Sequence, residues 1–233
     1  MEEKKQIGQL FDRIAGTYDR FNHVLSMNVD RRWRREAVKR LQTSQRAASI
    51  VLDVAVGTGD MALEILRQRR AEQVVGIDVS SEMMRLGEKK AARKGVAERI
   101  IFQQESALDM PFADGQFDAV TCAYGIRNFS DLEKGLSEMY RVLCKGGQVI
   151  ILEFSYPTAR FVRCLYDFFF TRIMPVVGRK ISKDDSAYIY FRDSVKHFIW
   201  GEEMAKQIAK VGFEDVCFKT LTFGITTIYT AKK

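Results

Sequence analysis

The segment Gly57-Thr58-Gly59-Asp60-Met61-Ala62 follows the spacing G-x-G-x-x-A. Glycines at that spacing let a backbone bend sharply and let a ligand approach it closely. Asp53 stands just before the bend, and Asp78 closes the next apolar run, where a carboxylate can accept hydrogen bonds from ribose hydroxyls. Such a set fits either a nicotinamide dinucleotide or S-adenosylmethionine. Charge separates the two. A dinucleotide would put its pyrophosphate over the bend, against Asp53 and Asp60. S-adenosylmethionine would put an ammonium and a sulfonium there, which carboxylates favour, while its own carboxylate could use N–H groups of the turn. Cofactor contacts are therefore expected at Asp53, Gly57, Gly59 and Asp78. Further along, Glu105-Ser106-Ala107-Leu108-Asp109-Met110 offers polar groups for an adenine amino group, with Ala107 or Met110 packing on the ring. Asp109 reads equally well as a solvated loop acid.

The elements that must hold these residues read as alternating strands and helices. Ser49–Ala55 is a short apolar run entering the glycine bend, as a buried parallel strand does. A helix follows, then a strand at Gln73–Asp78, a helix opened by Ser80 and closed by Gly95, and a strand at RIIFQQ. Phe117–Gly125 is a fourth strand, followed by a helix capped by Ser130. QVIILEFS, after the Gly146-Gly147 turn, is a fifth. This rhythm predicts a parallel sheet with crossover helices. Residues 1–45 read as a helical cap containing the basic helix Arg31–Leu41, and residues 157–198 as a helical insert. The final runs DVCFKTL and GITTIYTA should pair as an antiparallel hairpin. The expected fold is one α/β domain over residues 1–233, Rossmann-like, with a seven-stranded, mostly parallel sheet.

The chain has 233 residues, enough for one large α/β domain. Its excess of 37 Lys and Arg over 30 Asp and Glu favours an anionic partner without choosing between nucleic acid and phospholipid. The cysteines, at 122, 144, 164 and 217, lack metal-ligand spacing and read as reduced, mostly buried thiols. His23 and His197 stand alone, so no metal is expected. The charged N-terminus lacks an apolar signal core, and no apolar stretch reaches the ~18 residues of a spanning helix. A cytoplasmic location follows, with any membrane contact peripheral, at the inner face.

LDVAVGTGD, ESALDMPFADGQFD, AYGIRN, SEMYRVLCKGG and ILEFSYP, together with FDRIAGTYDRFNHVLSMNVDRRWRR near the N-terminus, resemble the C-methyltransferases of menaquinone and ubiquinone biosynthesis. The resemblance runs from about Phe11 to the C-terminus. It implies methyl transfer from S-adenosylmethionine to a ring carbon of a polyprenylated quinol, with demethylmenaquinol ahead of a methoxybenzoquinol. By position it implies cofactor contacts at Thr58, Asp78, Ser106, Ala107 and Ala123. The family commonly has Asn where Ser106 stands, Ser where Ala123 stands, Lys-Pro-Gly-Gly where Cys144-Lys145-Gly146-Gly147 stands, and His where Asp30 stands; no role is assigned to Asp30.

Carbon is a poor methyl acceptor unless a quinol hydroxyl ionises and enriches the ortho carbon. Arg127, just after the fourth strand, would stabilise that phenolate electrostatically. Asn128 would orient the quinol oxygen, and Tyr18 would close over the site. Plainer roles are a surface ion pair for Arg127, a helix cap for Asn128 and core packing for Tyr18. Phe161–Lys180 sets Phe161, Leu165, Phe168, Phe169 and Ile173 at helical spacing among basic residues, suited to an isoprenoid tail and an anionic membrane surface. Packing onto the chain's own domain is the blander reading. The expected partners are thus a quinol, an anionic membrane and, as an oligomer, a homodimer, with no nucleic acid. The rivals are a nucleic-acid methylase using the Arg31–Arg35 patch and a cofactor-binding regulator without catalysis.

Overall fold

A computed structural model of the chain describes residues 8–13, 15–17, 19, 26, 28–42, 49–173 and 185–233. Tyr18 and His23 lie outside the described residues, as does the side chain of Ile173.

Helical backbone at residues 8–13 and 15–17 leads to α1 (Val29–Lys39). Then come β1 (Ile50–Val54), α2 (Asp60–Arg67), β2 (Gln73–Asp78), α3 (Ser81–Arg93), β3 (Ile100–Gln104) and β4 (Phe117–Ala123). After a 3-10 turn at Ile126–Asn128 follow α4 (Leu132–Val142) and β5 (Leu143–Phe154). The insert holds α5 (Arg160–Phe168), continued as a π turn over Phe169–Ile173, and α6 (Asp185–His197). The chain closes with α7 (Glu202–Lys210), β6 (Glu214–Leu221) and β7 (Thr226–Lys232).

The strand order is β3-β2-β1-β4-β5-β7-β6. The first five strands pair in parallel, while β5–β7 and β6–β7 are antiparallel. The expected sheet and terminal hairpin are both present. Chain order reverses between β1 and β4, and in open α/β sheets that reversal opens a crevice at the strands' carboxyl ends.

Apolar side chains cover both faces of the sheet. On one face Trp33, Ala37 and Leu41 of the N-terminal helix region pack with Ile65 of α2 and Val51 of β1. On the other, Leu136 and Met139 of α4 meet Met204 and Ile208 of α7 over Leu52 and Ile151. Burial on both faces explains why the central strands are near-continuous apolar runs.

Some local expectations are corrected. Ser80 caps α3 through its side chain, which accepts from Met83 N, as read. Asp131, not Ser130, caps α4, because its carboxylate accepts the Lys134 N–H at 2.9 Å. Gly146 and Gly147 lie inside a longer β5, where Gly147 passes so near the Asp118 carbonyl that a Cβ would sit 2.9 Å away. Cys122 and Cys144 are buried, but Cys164 and Cys217 are exposed. Within the basic helix, Arg34 is turned inward onto Asp30 at 2.5 Å, so only part of RRWRR faces water. Among the described residues no helix is long and apolar enough to cross a membrane.

Candidate functional site

A cavity of about 110 Å³ opens at the carboxyl ends of β1, β2 and β4. Gly57, Asp78, Ser106, Ala107, Ala123 and Asn128 are on its wall. Gly57 has φ +53, and a Cβ there would meet nothing within 4 Å, so its backbone lies bare at the opening. The Asp78 carboxylate ties the bend together: Oδ2 accepts from Gly57 N at 2.8 Å and Oδ1 from Ser80 N at 2.9 Å. Burial pushes the Asp78 carboxyl up, and these N–H groups oppose that shift. Ser106 Oγ accepts from Leu108 N at 3.2 Å and folds its loop against the cavity. A bare glycine backbone, an acidic group at the strand end and a small-residue loop opposite fit a nucleoside cofactor.

Three residues expected at the cofactor are not on this wall. The Thr58 hydroxyl donates to Asp19 Oδ1 at 2.6 Å and accepts from Lys90 Nζ at 2.9 Å, pinning the N-terminal segment to the bend. Gly59 N-caps α2 at φ +79, with the Phe102 ring 3.1 Å from where its Cβ would be. Asp53 is 1% exposed beneath the bend, where Thr121 Oγ1 donates to its Oδ1 at 2.7 Å. Among the described residues its Oδ2 has no hydrogen-bond partner, and burial pushes its carboxyl up to about 7. The charge argument changes accordingly. Asp60 is neutralised by Lys90 at 2.7 Å and lies 3.8 Å from Arg34. Among the described residues, Asp78 and Glu105 are the acids that face the cavity. Asp109 is exposed on its loop and off the wall, as its plainer reading held.

A second cavity, of about 530 Å³ and overwhelmingly apolar, adjoins the first. Trp33, Phe154, Phe161, Leu165, Phe169 and Phe191 furnish much of its surface, so α1, β5 and the helical insert enclose it together. Tyr124 belongs to both walls. Its φ is +60, a left-handed conformation that an L side chain adopts at a cost of about 1–2 kcal/mol. The strand hydrogen bond from Tyr124 N to Leu152 O, 2.7 Å, holds it there. Gly125 follows because Ala55 approaches so closely that a Cβ would sit 2.4 Å from it.

Arg127 lines the apolar cavity, not the first one. Its Nη1 donates to Glu153 Oε1 at 2.8 Å and to the Tyr124 carbonyl, and its Nε reaches Ser194 Oγ at 3.3 Å. The side chains of Arg127 and Glu153 are 3% and 1% exposed. The plainer alternative for Arg127, a surface ion pair, is thus replaced by a buried one. The guanidinium also stacks over Phe154 at 5.5 Å and Phe191 at 5.2 Å. Asn128 does not cap α4; its Oδ1 accepts from Tyr190 Oη of α6 at 3.0 Å.

Several of these features were not foreseen. Glu153 carried a signal, since an acid inside an apolar strand needs a buried partner. So did Asp30 and Arg34, one helical turn apart. Tyr190 and the double role of Tyr124 carried none.

The comparisons with known proteins agree with this geometry. The profile described as the ubiE/COQ5 methyltransferase family matches residues 1–233. A Bacteroides fragilis protein named demethylmenaquinone methyltransferase is 44% identical, covering 100% of this chain and 94% of its own length. A Geobacter sulfurreducens protein named ubiquinone/menaquinone biosynthesis C-methyltransferase UbiE is 47% identical, covering 100% and 90%. Among solved structures, a Thermotoga maritima S-adenosylmethionine-dependent methyltransferase, described as a possible histamine N-methyltransferase, superposes with a TM-score of 0.68. It is 20% identical over 97% of this chain and 99% of that one, a likeness of fold.

Proposed function

The chain belongs to the ubiE/COQ5 methyltransferase family, and on that premise we propose that it methylates a ring carbon of a polyprenylated quinol, converting demethylmenaquinol to menaquinol. It is an S-adenosylmethionine-dependent C-methyltransferase. The observation that carries the quinol reading is Tyr124. One residue walls both a small polar cavity suited to a nucleoside cofactor and a large apolar cavity suited to a prenylated ring.

Gly57, Asp78, Ser106, Ala107 and Ala123 are the residues that would hold S-adenosylmethionine, Asp78 through its carboxylate and Gly57 through bare backbone. When bound, that cofactor supplies an electrophilic methyl group. The apolar walls exclude water, which strengthens every charge interaction inside. Tyr124 and Phe154, with ring centroids 4.4 Å apart and planes tilted by 32°, give the wall an aromatic surface for a quinol ring to pack on. Arg127 supports that surface from behind. Its charge is offset by Glu153, so it positions Tyr124 and Phe154 and contributes only partial electrostatic stabilisation of a quinolate. Asn128, held by Tyr190, links the cofactor wall to the insert.

The insert also supports a peripheral membrane contact. Phe161, Leu165 and Phe168 of α5 are 75%, 54% and 57% exposed, and Phe223 of the β6–β7 turn is 80% exposed. Phe161, Leu165 and Phe223 stand at the mouth of the apolar cavity, beside exposed Arg160 and Arg163. A lipid tail leaving an anionic bilayer would meet apolar surface continuously on this route.

Purified protein incubated with methyl-labelled S-adenosylmethionine and chemically reduced demethylmenaquinone should give a labelled, hexane-extractable product. Absence of transfer, with cofactor binding intact, would leave a binding protein and overturn the assignment.

A further inference from the structure

We infer that Asp30 is the group that takes the quinol hydroxyl proton; this rests on the quinol-methylation reading above. The ortho carbon becomes nucleophilic only as that O–H ionises, so a proton acceptor must stand on the wall of the apolar cavity. Among the described residues of that wall, the ionisable groups are Asp30, Arg34, Arg127, Tyr124 and Tyr166. Guanidinium groups are always protonated and cannot accept. Burial pushes the phenols of Tyr124 and Tyr166 up, so at neutral pH they are donors, not bases. Glu153 is off the wall, with Oε1 already accepting from Arg127 and Phe154 N. Asp78 and Glu105 belong to the cofactor cavity. Asp30 remains.

The surroundings of Asp30 suit the task. It is 3% exposed, and its oxygens accept from Ser26 Oγ at 2.6 Å and Arg34 Nη1 at 2.5 Å. The Arg34 guanidinium also stands 5.5 Å from the centre of the Tyr124 ring, the wall shared with the cofactor cavity. Among the described residues, Ser26, Arg34 on the same helix and Tyr124 after β4 surround Asp30, and Asp60 of α2 stands 3.8 Å from Arg34. Proton transfer from quinol to Asp30 moves the negative charge onto the quinol without changing the net charge of the cavity. Arg34 then faces a quinolate where it had faced a carboxylate, so no uncompensated charge is buried at any stage.

The step balances. The quinol O–H bond breaks, its proton goes to Asp30, and its electron pair enriches the ortho carbon. That carbon bonds to the methyl group while the S–CH3 bond breaks, with its electrons left on sulfur. The ring carbon then loses its C–H proton to water as the oxygen recovers its proton from Asp30. One proton leaves per turnover, matching the positive charge lost at sulfur.

The test uses Asp30→Asn in the full chain, with a short-tailed demethylnaphthoquinol and its more acidic ring-fluorinated counterpart. Affinity for S-adenosylmethionine should match the wild type, and kcat should fall on the order of 100-fold or more. The loss should shrink for the fluorinated quinol and as pH rises, because solution then ionises the substrate. A merely structural role would move neither dependence. Wild-type turnover in D30N, or a loss identical for both quinols at every pH, overturns the inference. Where D30N does not fold, Asp30→Glu, which keeps a carboxylate, should bind S-adenosylmethionine as the wild type does and retain much of the turnover on both quinols; a folded, cofactor-binding D30E without turnover on either quinol overturns the inference. A wild-type chain that methylates neither quinol overturns the functional reading instead, which keeps the two failures distinct.

Discussion

Arg127 Nη1 and Glu153 Oε1 form an ion pair at 2.8 Å with almost no solvent access on either side. Removing one partner leaves the other as an uncompensated buried charge, which costs about 3–5 kcal/mol. Arg127→Ala and Glu153→Ala should each destabilise the protein by about that much in urea titration. The double variant Arg127→Met/Glu153→Gln should recover most of the loss. Affinity for S-adenosylmethionine should survive in the double variant while turnover falls, because the pair supports the apolar wall and not the cofactor wall. Unchanged turnover there would remove Arg127 from the mechanism.

Asp78 bridges the N–H groups of Gly57 and Ser80 while lining the cofactor cavity. Asp78→Asn keeps the size but removes the charge and one acceptor. Hydrogen bonds to charged groups are worth about 1.5–3 kcal/mol, so cofactor affinity should fall roughly 10- to 100-fold in calorimetry. By contrast Asp109→Asn, at an exposed loop position, should bind as the wild type does.

Asp53 makes stability depend on pH in a defined direction. Burial raises its folded-state pKa to about 7, above that of the unfolded chain. The folded state therefore holds a proton that the unfolded state has lost, between the ordinary carboxylate range and about pH 7. Its contribution is fully present below that window and is lost as pH rises through it. Asp53→Asn should flatten this part of the profile of thermal midpoint against pH. A variant with the wild-type slope would remove Asp53 as the cause.

The exposed aromatic rim predicts lipid binding. The protein should sediment with vesicles containing anionic phospholipid, less with neutral ones, and progressively less as salt rises. Phe168→Ser, at an exposed position of α5 off the cavity wall, should reduce sedimentation while leaving activity on a short-tailed, water-soluble quinol intact. Sedimentation that ignores both lipid charge and this change would count against the rim.

The sheet was legible in the sequence because buried parallel strands write themselves as apolar runs between helices, as Ser49–Ala55 and Gln73–Asp78 do. Asp78, Ser106 and Ala107 reach the cavity wall because they end or closely follow strands, while Ala123 is implied by the family resemblance alone. Thr58 and Asp53 could not be placed, because side-chain direction within a bend depends on what packs behind it: here Asp19 and Lys90 for Thr58, and Thr121 for Asp53. The cationic-cofactor reading held although two of its acids, Asp53 and Asp60, are respectively submerged and ion-paired. Arg127 was placed at the right loop, but its direction is set by Glu153, twenty-six residues away in sequence. Tyr124 depends on two cavities meeting, and no local pattern records such a meeting.

The central claim is methyl transfer to a ring carbon, and the position of the label tests it most directly. The protein is incubated with demethylmenaquinol and S-adenosylmethionine carrying a carbon-13 methyl group, and the product is read by nuclear magnetic resonance. A labelled methyl on the quinone ring, coupled to ring carbons and none to oxygen, is the predicted result. A labelled methoxy group, or label recovered only in protein or nucleic acid, would contradict it.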